Sequence, residues 1–137
     1  FIIINMNIKS SQVLVEEASK EIKTLKAEEV VQALKKGETT LIDIRDIREL
    51  WKEGTPEGAI HIPRGMLEFW LDPESSYYKD RKIGEIKNMV LFCALGMRSA
   101  LATKSLNDMG FENVSHVDGG FDALKKIGLK IITKEKK

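Results

Sequence analysis

The sequence predicts a single α/β domain built around a mostly parallel sheet. Short apolar, β-branched segments alternate with segments of helical periodicity along the chain, which is the pattern of parallel strands joined by crossover helices. The length of 137 residues fits one domain comfortably and two poorly. Apolar residues make up 42% of the chain and charged residues 31%, a balance typical of a globular protein.

Local signals place the first elements of this fold. A helix is predicted over residues 12–22, because Ser10 or Ser11 can cap it and Val13, Leu14 and Ala18 share one face. The following elements alternate between extended and helical segments: an extended piece over 22–25, a helix over 26–36 ended by Gly37, a buried strand over 39–44, a short helix over 46–52 ended by Gly54, a turn over 54–58, and a strand over 59–62 ended by Pro63.

The second half of the chain continues the alternation. Its central feature is the apolar run over residues 88–92, which predicts a buried strand. The other predicted elements are a helix or loop over 66–71, a polar loop over 72–80, a helix over 98–109 ended by Gly110, a strand over 114–117, a turn at Gly119 and Gly120, a helix over 121–127, and a Lys-rich tail from Lys134.

Charge and cysteine content exclude several classes of protein. Lys plus Arg number 22 and Asp plus Glu number 21, so the formal net charge of +1 gives no sign of a nucleic-acid-binding surface. No segment has the roughly 20 apolar residues of a membrane-spanning helix. The single cysteine, Cys93, excludes an intramolecular disulfide and a multi-thiolate metal site. We therefore expect a cytoplasmic protein that binds neither nucleic acid nor membrane and has no metal site.

The segment around Cys93 carries the strongest chemical signal. An apolar strand ends at Cys93 and a helix begins about five residues later. Catalytic groups gather at the carboxyl ends of strands in such sheets, and the helix N-terminus with its loop N–H groups favours a thiolate. Gly96 can take the positive φ that a tight loop requires. The segment predicts an anion cradle with a sulfur nucleophile, although a free cysteine can also be a small buried core residue.

Residues 93–99 resemble the C-x-x-G-x-R-[SA] active-site loop of rhodanese-like sulfurtransferases. Four other segments that resemble family elements follow in the family's order: 41–45 with the D-x-R signature, 58–63, 110–114 and 118–121. Residues 63–70 resemble the form found in single-domain bacterial members. The resemblance covers roughly residues 22–130. Two departures are Thr55, where the family usually has histidine, and Leu124, where it usually has tryptophan.

The resemblance implies both an architecture and an activity. It implies a three-layer rhodanese-like domain over residues 22–132, with helices on both faces of the sheet, an N-terminal helical extension over 1–21 and a tail over 133–137. It also implies that the Cys93 thiolate takes sulfur from a donor such as thiosulfate or a persulfide. The Cys93 persulfide then passes the sulfur to cyanide, a thiol or a protein thiolate, with no metal or organic cofactor.

The same resemblance implies roles for the residues around Cys93. The backbone N–H groups of the loop would stabilise the anionic sulfur, and the loop consists of Ala94, Leu95, Gly96, Met97, Arg98 and Ser99. We expect Asp43 and Arg45 to support the site structurally, with Arg45 paired to a carboxylate such as Glu49 or Glu57. Arg98 either attracts an anionic donor or pairs with Asp43 or a nearby glutamate.

Four further polar residues lie near the predicted strand ends. Arg64 and Glu68 follow the middle strand and are candidates for the rim of the pocket, with surface roles as the alternative. His61 and His116 lie within strand patterns. With one cysteine in the chain they form no metal-ligand cluster, and we expect both to be structural.

Loop length and loop charge separate the possible activities. Cys93 to Arg98 is C-x4-R, one residue shorter than the C-x5-R loop of relatives that act on phosphate or arsenate, which disfavours a phosphatase. The uncharged side chains of Ala94, Leu95 and Met97 predict that thiosulfate is a poor surrogate for the true donor. The other alternative is a non-catalytic binding or regulatory module, against which the presence of Cys93 and Gly96 argues.

Overall fold

The computed structural model of the chain describes residues 7–78 and 86–136. Over these residues the predicted alternation of strands and helices is present. In chain order the elements are α1 (Ser11–Glu21), β1 (Lys23–Leu25), α2 (Ala27–Lys35), β2 (Thr39–Asp43), α3 (Ile47–Glu53), β3 (Thr55–Pro56), β4 (Ile60–His61), a 3₁₀ turn (Arg64–Met66), α4 (Leu67–Leu71), β5 (Asn88–Phe92), α5 (Met97–Met109), β6 (Val114–Val117), α6 (Gly120–Lys126) and β7 (Ile131–Ile132).

A parallel sheet forms the centre of the molecule. Among the described residues its strand order is β1-β6-β5-β2-β4, and every neighbouring pair runs parallel. In the longest ladder, Asp43 of β2 stands opposite Phe92 of β5. The carboxyl ends of these two strands therefore meet at one edge of the sheet, which brings the residues that follow them together.

Each face of the sheet carries its own hydrophobic core, as the predicted α/β architecture requires. Met89 and Leu91 of β5 pack with α4 and α5 on one face, and Val90 and Phe92 pack with α2 and α6 on the other. Leu91 and Phe92 are fully buried, which contributes roughly 1.5–3 kcal/mol for each side chain. Leu124, which replaces the family's tryptophan, is buried in the second core.

The helix boundaries follow local chemistry and differ slightly from the predicted ones. The Ser10 hydroxyl caps α1 by accepting from the N–H of Val13. α5 begins at Met97 because Gly96, with φ +123°, ends the loop in a conformation reserved for glycine. The longest helix in the described part of the chain has 13 residues, and no helix there is long and apolar enough to cross a membrane.

Some predictions concern the ends of the chain and one loop. Helix α1 is present as expected and packs against α5, with Ala18 buried in the contact. Residues 133–136 belong to no helix or strand. The start of the predicted extension (1–6), the end of the predicted polar loop (79–80) and Lys137 lie outside the described residues.

An antiparallel ladder between β3 and β7 is absent from the sequence-based prediction. Thr55 pairs with Ile132 and Pro56 with Ile131. Each strand has only two residues, and the first lies in the segment Gly54-Thr55-Pro56-Glu57-Gly58, whose composition indicates a turn. The pairing depends on two segments far apart in the chain, so no local pattern reveals it. Its consequence is that Gly54 and Thr55 are held beside the end of β2.

Candidate active site

Cys93 lies at the carboxyl edge of the sheet, directly after β5. Its side chain is 1% exposed, and its sulfur is surrounded by donors from the loop that follows. Sγ accepts hydrogen bonds from the N–H of Gly96 at 3.2 Å and from the N–H of Ser99 at 3.4 Å. The Ser99 hydroxyl oxygen lies 3.6 Å from Sγ. The two N–H groups, and the Ser99 hydroxyl when it turns to the sulfur from the Gly96 carbonyl oxygen at 3.3 Å, can stabilise a negative charge on the sulfur.

The outer surface of the loop is apolar. Leu95 is 67% exposed and Met97 is 63% exposed, on either side of Gly96. Ala94 is half-buried between them and the strand. A molecule that approaches the loop from solvent therefore meets two uncharged, flexible side chains before it reaches the sulfur.

Arg98, the cation of the loop, is held by a carboxylate. Its guanidinium donates two parallel hydrogen bonds to Glu49, Nη1 to Oε1 at 2.8 Å and Nη2 to Oε2 at 3.1 Å. The hydrogen bonds from Arg98 lower the pKa of Glu49. The pKa of Arg98 is raised chiefly by Glu49 and further by the nearby Cys93 sulfur. Of the partners considered from the sequence, the nearby glutamate is the one present, and this pair fixes the start of α5 against α3.

The Asp43–Arg45 pair is fully buried beneath the site. Arg45 donates to both carboxylate oxygens of Asp43, Nε at 3.0 Å and Nη2 at 2.8 Å, and both side chains are 0% exposed. Nη2 also donates to the Gly54 carbonyl, and the guanidinium lies 4.0 Å above the centre of the Phe121 ring. The Thr55 hydroxyl donates to Asp43 at 2.8 Å, so the residue that replaces the family's histidine has a defined partner.

The predicted partners of Arg45 are wrong. The expectation of Glu49 or Glu57 followed from their short distance along the chain. Glu49 is bonded to Arg98, and Glu57 lies at the surface near Lys130. The bent backbone after β2 turns the Arg45 side chain back onto Asp43, two residues earlier, because both are aimed into the same buried space.

Arg64 and Glu68 form an ion pair beside α5. Both carboxylate oxygens of Glu68 accept from Nη1 of Arg64, at 2.9 and 3.0 Å, and one of them also accepts from the Ser105 hydroxyl at 2.6 Å. In the described part of the chain their side-chain hydrogen bonds are with each other and with Ser105, and none is with residues 93–99. These contacts tie α4 to α5, and a role at the rim of the pocket stays a prediction.

The start of α6 docks directly onto the loop. The N–H of Phe121 donates to the Cys93 carbonyl at 2.8 Å, and the N–H of Asp122 donates to the Ala94 carbonyl at 3.3 Å. This contact requires Gly120. A Cβ on Gly120 would lie 2.5 Å from the Cys93 carbonyl oxygen and 2.7 Å from that of Ala94, and its φ is +57°. The Gly119-Gly120 turn therefore exists because the backbone of α6 approaches the backbone of the site.

We expect Gly120→Ala to displace this loop and to lower the free energy of unfolding. The new methyl group would collide with two carbonyl oxygens that cannot move without shifting Cys93. Gly128→Ala is the matched control, because Gly128 also has a positive φ (+99°) but a Cβ there would meet no atom within 4 Å among the described residues, apart from its two chain neighbours. Chemical denaturation should rank Gly120→Ala as clearly more destabilising than Gly128→Ala. Equal losses would contradict the close-approach argument.

His116, which the sequence predicts to be a structural residue, is hydrogen-bonded to the loop that follows Cys93. Its Nδ1 lies 2.9 Å from the Ser99 hydroxyl and its Nε2 lies 3.0 Å from the Thr24 hydroxyl. Burial lowers the pKa of His116, and the attraction of Asp118 opposes this effect. One signal could have found it: alternation in β6 puts residue 116 on the same face as Val114, which packs under α5 on the side of Cys93.

A separate open groove of about 840 Å³ lies at the opposite edge of the sheet. It is lined by the amino-terminal ends of β1, β2, β5 and β6, among them Lys23, Thr39 and Asn88. Its lining contains neither the single cysteine of the chain nor any residue of the loop 93–99. This groove is therefore separate from the loop that surrounds Cys93.

Comparisons with known proteins agree with this geometry. The sequence profile of the family described as "Rhodanese-like domain" matches residues 26–127. A protein of unknown function from Rhodopseudomonas palustris, described as a possible tyrosine phosphatase, is 38% identical. Its structure superposes with a TM-score of 0.86 over 96% of this chain and 100% of its own. The polysulfide-sulfur transferase homodimer of Wolinella succinogenes is 30% identical, with a TM-score of 0.68 over 90% of this chain and 87% of its own.

Curated relatives are longer than this chain. The tRNA uridine(34) hydroxylase of Photorhabdus laumondii is 35% identical over 104 residues, which are 76% of this chain and 28% of that protein. The chain thus spans little more than a quarter of the length of this relative. What the two share is one domain of a larger protein.

Proposed function

Because this chain belongs to the rhodanese-like domain family, we propose that it is a sulfurtransferase that moves sulfane sulfur through a persulfide on Cys93. The observation that carries this proposal is the set of donors around Sγ. The N–H groups of Gly96 and Ser99 both donate to one buried sulfur, and the Ser99 hydroxyl oxygen lies 3.6 Å from it. Such a cradle suits a sulfur that is negatively charged before, during and after the reaction.

The transfer proceeds in two displacements. The Cys93 thiolate attacks the outer sulfur of the donor, the sulfur–sulfur bond of the donor breaks, and its electron pair leaves as sulfite from thiosulfate or as a thiolate from a persulfide. The acceptor, which is cyanide, a thiol or a protein thiolate, then attacks the outer sulfur of the Cys93 persulfide and releases the Cys93 thiolate. Because the chain has a single cysteine, the sulfur leaves to an acceptor outside this chain.

The relatives support the sulfur-transfer chemistry more directly than a specific donor. The Wolinella protein is named a polysulfide-sulfur transferase, and 87% of its chain is covered. The Photorhabdus relative is named for the hydroxylation of a tRNA uridine, and this chain spans 28% of its length. Our proposal concerns the shared domain, and its donor and acceptor classes come from the chemistry of Cys93.

Mass spectrometry of the intact protein tests the proposal. The reduced protein is incubated with thiosulfate, with an organic persulfide and with polysulfide, and is then desalted. We expect a mass gain of one sulfur atom with at least one donor, reversed by cyanide or by a small thiol. A folded protein that gains no sulfur from any donor contradicts the proposal and supports a non-catalytic binding or regulatory module instead.

We also expect Met97→Lys to improve thiosulfate as a donor. The loop exposes Leu95 and Met97, and its one cation, Arg98, is held by Glu49. A new cation beside Sγ would attract the thiosulfate dianion by about 1–2 kcal/mol, or roughly five- to thirtyfold in kcat/KM. Steady-state kinetics at low and high salt would measure this, since the gain should shrink with ionic strength.

The opposite end of the same helix provides the control for this substitution. Met109→Lys adds the same charge to an exposed methionine at the last residue of α5, and should leave the thiosulfate kinetics unchanged. A gain of similar size in both variants would show that net charge, and not the position in the loop, attracts the donor. No gain in Met97→Lys would contradict the argument that loop charge limits the use of thiosulfate.

A second candidate function is hydrolysis of a small phosphate ester. The Rhodopseudomonas relative, 38% identical, is described as a possible tyrosine phosphatase. The loop from Cys93 to Arg98 argues against this function, because it has one residue fewer than the C-x5-R cradle of phosphate-binding relatives. Hydrolysis of an aryl phosphate that is lost on Cys93→Ser would favour it over sulfur transfer.

A further inference from the structure

Four side chains form a continuous hydrogen-bonded chain that begins at the reactive sulfur. Cys93 Sγ lies 3.6 Å from the Ser99 hydroxyl, which lies 2.9 Å from Nδ1 of His116. On the far side of the ring, Nε2 lies 3.0 Å from the Thr24 hydroxyl. Cys93, Ser99 and His116 are all buried, so water does not compete for the contacts between these three residues, whereas Thr24 at the end of the series is exposed. These four side chains come from different elements of the fold. Thr24 belongs to β1, His116 to β6 and Ser99 to α5, and Cys93 directly follows β5.

We propose that His116 is a positioning residue that acts through Ser99 to stabilise the Cys93 thiolate. A hydroxyl donates one hydrogen bond, so the direction of each donor along the chain depends on its neighbour. When Nδ1 carries the ring proton, it donates to Ser99, and the Ser99 hydroxyl is left to donate to the Gly96 carbonyl at 3.3 Å or to Sγ at 3.6 Å. A thiolate is the stronger acceptor of the two, so the hydroxyl turns to Sγ when Cys93 is ionised. When Nδ1 lacks the proton, it accepts from Ser99, and Sγ loses that donor. The tautomer of His116 therefore decides whether the third donor of the cradle is present.

Ionisation of Cys93 reverses every donor in this chain. In the thiol form Cys93 donates to Ser99, Ser99 donates to Nδ1, and Nε2–H donates to Thr24. When the thiol loses its proton, one proton leaves to solvent, Nδ1–H donates to Ser99, Ser99 donates to the thiolate, and the Thr24 hydroxyl donates to Nε2. His116 is neutral in both forms and only its tautomer changes. This agrees with the burial of the ring, which disfavours the imidazolium.

Neutral neighbours on both sides make the tautomer depend on the hydrogen bonds. β1 and β5 flank His116 in register with Thr24 and Leu91, neither of which titrates. The charged group that acts on His116 from its own strand end is Asp118, which is exposed. At the sulfur end of the hydrogen-bonded series, Arg98 interacts electrostatically with Cys93, and Arg98 is itself paired with Glu49. The sulfur and the ring are thus coupled mainly through Ser99.

Imidazole nitrogen NMR tests the proposal without any substitution. The protein has two histidines, so their signals are separable. His61 contacts the Arg45 carbonyl through Nε2, and no hydrogen bond among the described residues connects it to Cys93. Above the midpoint of thiol ionisation, we expect alkylation of Cys93 with iodoacetamide to move the His116 proton from Nδ1 to Nε2, because a thioether sulfur is a poor acceptor. The His61 signals should stay in place. Unchanged His116 nitrogens would overturn the proposal.

The pH dependence of Cys93 alkylation provides the second test. Ser99→Ala removes the link and should raise the midpoint of the rate profile by about one pH unit, which is about a tenfold lower rate at a fixed pH below the midpoint. His116→Phe should give a similar shift, and His116→Asn should restore most of the wild-type profile, because its amide can still donate to Ser99. His61→Asn is the control and should not change the profile. Midpoints equal to the wild type in Ser99→Ala and His116→Phe would contradict the coupling.

These measurements separate this inference from the proposed function. The inference rests on a Cys93 thiolate, and alkylation measures that thiolate without any sulfur donor. If Ser99→Ala and His116→Phe shift the alkylation midpoint but the wild-type protein gains no sulfur, sulfur transfer is refuted and the role of His116 stands. If the protein gains sulfur but these substitutions leave the alkylation midpoint unchanged, only the role of His116 is refuted. If His116→Phe fails to fold, Ser99→Ala and the NMR measurement still decide the outcome.

Discussion

Cys93→Ser is expected to abolish sulfur loading and sulfur transfer completely. A serine hydroxyl in the same cradle is not ionised near neutral pH and cannot form a persulfide, so the first displacement has no nucleophile. Because Cys93 is the single cysteine, the intact mass reports on this residue without peptide mapping. The measurement is the fraction of protein that gains one sulfur atom, together with the rate of thiocyanate formation from cyanide.

The fold should survive this substitution, which makes the result interpretable. Serine is slightly smaller than cysteine, and the N–H groups of Gly96 and Ser99 can donate to its hydroxyl oxygen. The melting temperature should therefore change by only a few degrees, in keeping with a change of about 1 kcal/mol. Sulfur loading or transfer by a folded Cys93→Ser protein would show that the reaction does not pass through residue 93.

Arg45→Met is expected to have the largest effect on stability, about 3–5 kcal/mol. It leaves the buried carboxylate of Asp43 without its cation, and removal of one partner of a buried ion pair typically costs that much. The side chain also covers the Phe121 ring, so the site and α6 lose a common support. Urea denaturation monitored by circular dichroism measures the loss. We expect sulfur loading to fall as well, because the start of α6 binds the Cys93 carbonyl.

The chain contains a matched control for this prediction. Arg48 donates to Asp46, two residues earlier, with the same two-pronged geometry at 2.8 and 3.2 Å, but this pair is exposed. Arg48→Met should leave stability nearly unchanged, because exposed ion pairs contribute little. The double substitution Asp43→Leu with Arg45→Met should recover part of the loss by removing the unpaired charge. Equal effects of Arg45→Met and Arg48→Met would contradict the importance of burial.

The predicted strands and helices, and the position of Cys93, follow from local patterns. The apolar run over residues 88–92 is a strand because its side chains are buried alternately in the two cores. The loop after Cys93 is a cradle because Gly96 permits a backbone conformation in which two N–H groups face the same sulfur. These features depend on residues close together in the chain. They are visible in the sequence because steric and hydrogen-bonding preferences of that kind are local.

The ion-pair partners of the arginines, in contrast, were decided by the tertiary structure. The sequence offered Arg45 several carboxylates within reach, and the expected ones, Glu49 and Glu57, were wrong because the backbone after β2 turns Arg45 onto Asp43. Glu49 was then available to Arg98, which is far away in the sequence. Carboxylates at similar distances along the chain are equally plausible partners for an arginine when only the sequence is known. The orientation of the side chains in the packed fold distinguishes between them.

The sequence by itself determined an α/β domain of the rhodanese-like type with a cysteine at the end of a central strand. Only the tertiary structure joined His116 and Thr24 to Ser99 of the Cys93 loop, from two strands that are far apart in the chain. The physical reason is that the parallel register of β1, β6 and β5 brings these side chains together, and register is a property of the whole sheet. The cradle is therefore local chemistry, and its connection to His116 is a consequence of the fold.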